Sequence, residues 1–367
     1  MKVFWIGYGQ AGGKIANALM GMSSKIYDAV AINTEEADLA DLGNIREKTL
    51  IGKYRHRGRG VGADIEVGAM IAEKSLSQMM DRIDLRSSKF DPEAFWVVAG
   101  MAGGSGAGGS HILAAELREV YHKPVYVLGV LPSATAMPSD KEALCLSNAL
   151  RCFELWKENF DNILLVDNQQ YEQGMDNRQS LEGMYQRINE NLAKRLTILL
   201  SAGEVRPAPQ EVFSSSEVIA TLGAGGGVST IGYHAERIKS KLQFWKGGIE
   251  PDTNELESII SKSLEKSSLT FPCDLSGARA AALVTVGKPE HLYTQAIIKG
   301  RAELEQITKV SEVRYGDYPD RGSKGFAAVN IISGIDDFAR LDQMRQRVED
   351  LRNVNGRVRE PVGASST

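Results

Sequence analysis

The chain is short of cysteine, of long apolar runs and of net charge, and each shortage removes a class of protein. Cys145, Cys152 and Cys273 are the three cysteines among 367 residues. An odd and sparse set builds no disulfide framework. Cys145 and Cys152 stand two helical turns apart, too isolated for a zinc set, so reduced core thiols of a cytoplasmic protein are expected and metal ligands are not. No apolar stretch approaches the roughly 20 residues that a membrane-spanning helix requires, so direct membrane insertion is not expected. Lys2 alone precedes the apolar run that opens at Val3, which does not fit a cleavable signal peptide. Lys and Arg number 43 against 47 Asp and Glu, a formal net charge of −4. That balance gives no reason to expect nucleic acid as a partner. There is no internal repeat and no coiled-coil heptad run.

What remains is ordinary globular composition, 43% hydrophobic and 25% charged, with glycine gathered in a few places. Residues 100–109 read Gly-Met-Ala-Gly-Gly-Ser-Gly-Ala-Gly-Gly, six glycines in ten positions. The run follows the apolar segment Ala94-Phe95-Trp96-Val97-Val98-Ala99 and precedes a helical pattern from Ile112. A strand, a glycine loop and a helix in that order make a phosphate cradle. Few side chains obstruct the ligand, backbone N–H groups turn inward, and the helix dipole favours an anion. Ser105 adds a hydroxyl.

A second such place lies at the start. The strand Lys2-Val3-Phe4-Trp5-Ile6 runs into Gly7-Tyr8-Gly9-Gln10-Ala11-Gly12-Gly13 and a helical run from Lys14. This is a formal G-x-G-x-x-G, a weak signal alone. Ala29-Val30-Ala31-Ile32 then ends in Asn33-Thr34-Glu35-Glu36, acids at the distance where a Rossmann fold holds a ribose. A third loop, Arg57-Gly58-Arg59-Gly60-Val61-Gly62-Ala63-Asp64, precedes a helix over 65–82. It reads as an anion loop or as an exposed turn. Further strands over 124–131 and 162–166 alternate with helices over 111–121 and 142–158. Continuous apolar strands alternating with helices predict a doubly wound, mostly parallel α/β sheet with ligands beyond the carboxyl ends of its strands. The glycine loops and Asn168 all fall at such ends.

A long helix over 179–202 places Tyr185 and Asn189 one turn apart on one face. They suit stacking and hydrogen bonding to a purine, or ordinary packing. Prolines at 207 and 209 end that helix. Ser214-Ser215-Ser216-Glu217 then starts another, with the serines as caps and Glu217 as a first-turn acid. Beyond residue 234 the pattern becomes α+β. The expected domains are a nucleotide-binding part over 1–178, the central helix over 179–202, a C-terminal part over 203–352 and a disordered tail over 353–367.

Taken together, these motifs resemble the tubulin/FtsZ superfamily. Gly103-Gly104-Ser105-Gly106-Ala107-Gly108 matches its signature loop. Gly9-Gln10-Ala11-Gly12-Gly13, the Ala-Ile-Asn-Thr run at 31–34 and the glycines at 58–62 resemble its other loops. Gln10, Ala-Gly-Glu-Val at 202–205 and Ser-Glu-Val-Ile at 216–219 look most like the archaeal CetZ branch. The resemblance implies a GTPase that binds GTP or GDP with Mg²⁺ and polymerises head to tail with copies of itself, with a role in cell shape. It implies nucleotide contacts from Gly9, Gln10, Ala11, Gly12, Lys14, Asn33, Val61, Gly62, Ala102, Gly103, Gly104, Ser105, Gly106, Asn168, Tyr185 and Asn189. For the ribose-side acid it points to Glu142, with Asp140 as the alternative. It makes Glu217 the catalytic acid, delivered to the nucleotide of the next subunit. FtsZ carries more acids there; Val212 and Ser214 stand in their place, so slow hydrolysis or a structural subunit with little turnover is the other expectation. The short tail has no FtsZ-like adaptor peptide, so any membrane link needs separate adaptors or regulators. A Rossmann-type NAD-dependent oxidoreductase leaves residues 100–109 without a role and finds no catalytic His or Tyr-x-x-x-Lys set.

Overall fold

All six residues of β1 (Val3–Tyr8) are buried. Successive side chains of a strand leave opposite faces, so the sheet containing it is covered on both sides. Phe4, Ile6 and Tyr8 enter one hydrophobic cluster, while Val3 and Trp5 enter the other. The computed structural model describes residues 1–53, 58–133, 137, 139–173, 180–202, 213–237, 253–311 and 313–358.

After β1 come α1 (Gly9–Met22), β2 (Tyr27–Asn33), α2 (Glu36–Ala40), β3 (Glu47–Leu50), α3 (Ile65–Lys74) and α4 (Leu76–Phe90). Then follow β4 (Ala94–Gly100), α5 (Gly104–Tyr121), β5 (Val125–Leu131), α6 (Glu142–Asn159), β6 (Asn162–Asp167) and α7 (Asn168–Gln173). The central helix α8 (Leu181–Ser201) leads to α9 (Ser215–Gly225), β7 (Val228–Arg237), α10 (Thr253–Ser263) and β8 (Ala280–Gly287). The described chain closes with α11 (Thr294–Thr308), β9 (Val313–Pro319), β10 (Gly325–Ile335) and α12 (Ala339–Val358).

The strands form one ten-stranded sheet in the order β3-β2-β1-β4-β5-β6-β7-β10-β8-β9. β1 to β6 are parallel throughout, as their apolar runs predict. β7 joins them in parallel through Ile163–Val228 and Leu164–Ser229. β10 then runs antiparallel to both β7 and β8, and β9 lies parallel to β8. The α+β half thus continues the doubly wound half within a single sheet. α3 to α6 and α10 to α12 supply one face of the core, and α1, α8 and α9 supply the other. Under α1 and α8, Tyr27, Trp5, Trp96 and Tyr126 form a cross-strand aromatic row with ring centroids 5.5, 5.4 and 5.2 Å apart.

Three local differences from the sequence pattern have physical reasons. The helices expected from Lys14 and from residue 111 begin much earlier, at Gly9 and Gly104, so their glycines form first turns rather than loops. Low glycine helix propensity, costing about 1 kcal/mol per residue, is overridden by backbone packing. A Cβ on Gly12 would lie 1.9 Å from the Val98 carbonyl oxygen, and one on Gly108 only 2.3 Å from that of Ile65. The helix expected over 65–82 is two helices, because Ser75 leaves the helical region at φ −105°, ψ 7°. Finally, residues 353–358, expected in a disordered tail, extend α12. Leu341, Met344 and Val348 anchor that helix in the core, and extending an existing helix is easy compared with starting one. Residues 359–367 lie outside the described residues.

Gly108→Ala should therefore separate α3 from α5 and destabilise the chain by about 1–3 kcal/mol, read as a lower chemical-denaturation midpoint. An unchanged midpoint would show that the helices yield without cost.

Candidate functional site

The carboxyl ends of β1, β2, β4, β5 and β6 open on one cavity of about 490 Å³. Its walls include Gly9, Gln10, Ala11, Asn33, Val61, Gly62, Ala102, Gly103, Gly104, Ser105, Gly106 and Asn168. Each of these was expected from sequence to meet the nucleotide, and the fold brings them together. α1 and α5 both begin on this wall, at Gly9 and Gly104, and neither has a side-chain cap. Their first-turn N–H groups and dipoles face the same space, the arrangement that binds phosphate. Gly9 turns the chain into α1 at φ +73°, a backbone conformation costly for other residues. Gly60 and Gly62, at φ +71° and +61°, carry the third loop over the opening. Arg57 of that loop lies outside the described residues, whereas Arg59 lines the cavity.

Hydrogen bonds hold the loops in register. Asn33 Nδ2 donates to Asp38 Oδ2 at 2.9 Å, and Gln10 Nε2 donates to Asp38 Oδ1 at 2.8 Å. The Ser105 and Thr34 hydroxyls are 2.6 Å apart, joining the turn after β2 to the glycine run. Asn148 of α6 donates to the carbonyls of Ala63 and Ala102 at 2.7 and 3.0 Å. Sequence reasoning missed Asp38, Arg59 and Asn148. Asp38 lies within three residues of the Asn-Thr-Glu-Glu run, and Arg59 lies between Gly58 and Gly60. Asn148 gave no signal, because an Asn inside an amphipathic helix reads as surface.

A second cavity of about 500 Å³ lies between the body of α1 and the start of α8. Lys14, Tyr185 and Asn189 line it together with Asn17, Asp41, Glu182 and Gln186. Gly9 and Gln10 line the first cavity and Lys14 the second, so α1 runs from one to the other. The Tyr185 hydroxyl donates to Glu172 Oε1 at 3.2 Å. Burial first, and the Glu172 carboxylate second, push its pKa up to about 12, so the phenol stays protonated. The ring offers a face and Asn189 an amide, a combination suited to a base. Gly12 lines neither cavity; it is buried in α1 against β4.

Glu142, expected on the ribose side, is placed elsewhere in this structure. It reaches neither cavity: its carboxylate accepts two hydrogen bonds from Arg347 of α12, at 2.7 and 3.0 Å. A buried acid at the start of α6 is satisfied by the nearest guanidinium rather than held open for a ribose. Asp140, the alternative, is exposed. Glu217 is also outside both cavities. Its Oε2 accepts from the Ser214 N–H at 2.6 Å in a capping box. Ser215 Oγ donates to Glu93 Oε1 at 2.5 Å, and Glu93 Oε2 accepts from the Lys2 N–H at 2.7 Å. Lys2 and Glu93 immediately precede β1 and β4, so Glu217 sits at the amino ends of the strands whose carboxyl ends hold the cavity. Val212 and residues 203–205 lie outside the described residues.

Paired glycine-started helices at the carboxyl ends of a parallel sheet, beside an aromatic and amide pocket, define a nucleotide-binding α/β protein. Residues 2–176 match the Tubulin/FtsZ family, GTPase domain, and residues 178–350 match the Tubulin-like CetZ, C-terminal domain. The chain belongs to the tubulin/FtsZ family. It is 38% identical to the tubulin-like protein CetZ1 of Haloferax volcanii, with 94% of this chain and 91% of that protein aligned. The GDP-bound monomer of CetZ1 superposes with a TM-score of 0.81 at 37% identity, covering 96% of this chain and 100% of that one. The GTPγS-bound protofilament of CetZ2 from the same organism gives 0.84 at 34% identity, covering 97% and 100%. Among the described residues no helix is long and apolar enough to cross a membrane, and no group of three or more His, Cys, Asp or Glu side chains could hold a metal ion.

Because Glu142 is held away from the cavity, Glu142→Gln should leave the dissociation constant for guanine nucleotide within about twofold while lowering thermal stability through loss of the Arg347 pair. A large loss of affinity in fluorescence titration would restore Glu142 to the site.

Proposed function

We propose that this chain is a cytoskeletal GTPase that binds GTP and GDP, assembles head to tail with further copies of itself, and hydrolyses GTP at the junction, in the cytoplasm, in the service of cell shape. The observation that carries the reading is the polarity of the sheet: phosphate-binding helix starts at one end of β1 and β4, and Glu217 at the other. Stacking two copies end to end sets the acid of one over the cavity of the next. The guanine-nucleotide-bound relatives and the protofilament of CetZ2 support the same assignment. The division of labour follows, with residues 1–178 binding nucleotide, α8 reading the base through Tyr185 and Asn189, and the part from 203 to 352 supplying the acid.

In this reading the free N–H groups of α1 and α5, with Ser105 and Arg59, bind the phosphates and spread the charge that develops on transfer. Asn33 and Asn168 orient the ligand from the adjoining strand ends. Glu217 of the neighbouring copy accepts a hydrogen bond from the attacking water and aligns it with the terminal phosphorus. For that, its carboxylate must turn part of its accepting capacity from the Ser214 N–H to the water; one oxygen suffices, since a carboxylate has about four acceptor positions. Glu35 and Asp38 line the same cavity and fit Mg²⁺, which takes one or two carboxylates beside phosphate oxygens. When bound, that ion neutralises phosphate charge. Any regulators or membrane adaptors would act on the assembled surface.

Purified protein should bind GTP in preference to ATP or NAD and should pellet with GTP in a concentration-dependent manner. Glu217→Ala should retain nucleotide binding, lose turnover by about 10²-fold or more, and give longer-lived filaments. Unchanged turnover would reject the role of Glu217 and favour a structural subunit. Preferential NAD binding would overturn the whole reading.

A further inference from the structure

We propose that Arg340, from the C-terminal helix α12, is a positioning residue for the nucleotide cavity, fixing Pro132 and Asn168 in its wall. The inference rests on the nucleotide reading of that cavity. Pro132 and Asn168 both line it, one after β5 and the other after β6. Arg340 lies behind that wall. Its Nε donates to Asp167 Oδ2 at 2.9 Å, and its Nη2 donates to Gln169 Oε1 at 2.8 Å and to the Pro132 carbonyl at 3.3 Å. The residues on either side of Asn168 are therefore held by one guanidinium, and the same group reaches across to the neighbouring loop.

The arrangement is sheltered and closed. Asp167 is 4% exposed and Arg340 13% exposed, so water screens this pair poorly. The second oxygen of Asp167 accepts from the Gln169 N–H at 3.1 Å, which bends the chain around Asn168. The Asp167 N–H donates to the Thr270 carbonyl at 2.8 Å. A planar fork with several donors in fixed directions can join three acceptors in this way, whereas a lysine ammonium cannot reproduce their geometry. Since Arg340 belongs to the C-terminal half and Asn168 to the nucleotide half, the seating of α12 sets the shape of the cavity. Arg347, seven residues on, ties the same helix to α6 through Glu142, which lines neither cavity.

The test compares full-length variants by fluorescence titration with a labelled guanine nucleotide, each well below its own melting midpoint. Arg340→Ala should weaken binding on the order of tenfold, with the KM for GTP rising in parallel and kcat at saturating GTP retained, as for a group that places a ligand without touching it. Arg340→Lys should recover part of that loss. Gln169→Ala, which keeps the buried ion pair and so guards against a failure to fold, should weaken binding by a smaller factor in the same direction. Arg347→Ala should lower the melting midpoint and leave affinity unchanged. Unaltered affinity in Arg340→Ala, or an equal loss in Arg347→Ala, would overturn the proposal and leave α12 a purely structural strap. Failure of the wild-type chain to bind guanine nucleotide would instead overturn the reading of the cavity itself, and this proposal with it.

Discussion

The parallel alignment of β1 and β4 is the constraint on which the rest depends. Both strands end in helices that start on glycine, so two sets of unpaired N–H groups converge at one end of the sheet. Both strands are preceded by residues, Lys2 and Glu93, that bond each other, and Glu93 holds α9 and its acid at that other end. The register between them is unbroken from Val3–Ala94 to Tyr8–Ala99. Both faces are buried, so a slip of one residue would exchange the two hydrophobic clusters and is strongly disfavoured. Six residues of strand span about 20 Å. That rigid distance separates cavity from acid within one copy, and it is why a single chain cannot bring Glu217 to its own cavity. In the function proposed above, that distance is what would tie the chemistry to assembly.

The parts of this design that depend on backbone pattern were legible in the amino-acid sequence. Continuous apolar strands announced the parallel sheet, and glycine runs at strand ends announced the cavity. The parts that depend on which side chain finds which partner were not. Glu142 sits at the start of α6, the right place for an acid facing a nucleotide, but its partner Arg347 comes from α12, 205 residues away in sequence. Asn148 is in the same position: its two carbonyl partners belong to loops that no local pattern connects to α6. Glycine also misled in one respect. Gly104 and Gly108 read as loop residues because glycine is a poor helix former, yet their backbones are helical and approach α3 closely. Packing, not propensity, decided the outcome.

The seam between the two halves explains how they act together. β7 meets β6 over only two paired positions, a short ladder for a joint that carries half of the chain. A buried polar cluster reinforces it. Asn162 Nδ2 donates to the Leu222 carbonyl at 3.1 Å and to Ser333 Oγ at 2.8 Å, and Ser229 Oγ lies 2.7 Å from Asn162 Oδ1. These contacts tie β6, α9, β10 and β7 at one point. Such a network specifies one register, because any slip leaves buried polar groups without partners.

Nearer the cavity the same seam is crossed by cations rather than amides. Buried Arg195 of α8 donates to the Ser268 carbonyl at 2.8 Å, with its guanidinium 5.2 Å from the Tyr233 ring centre and 5.5 Å from that of Tyr171. Tyr171 belongs to α7, the short helix that opens with Asn168. Arg340 reaches the start of the same helix from α12. Two guanidiniums from different elements therefore grip α7, whose own Gln170 adds hydrogen bonds to the Lys266 and Leu269 carbonyls. Asn168 is thereby linked through α7 to both α8 and α12. The cavity wall and the C-terminal half are thus joined through α7, beside the β6–β7 ladder and the Glu142–Arg347 pair.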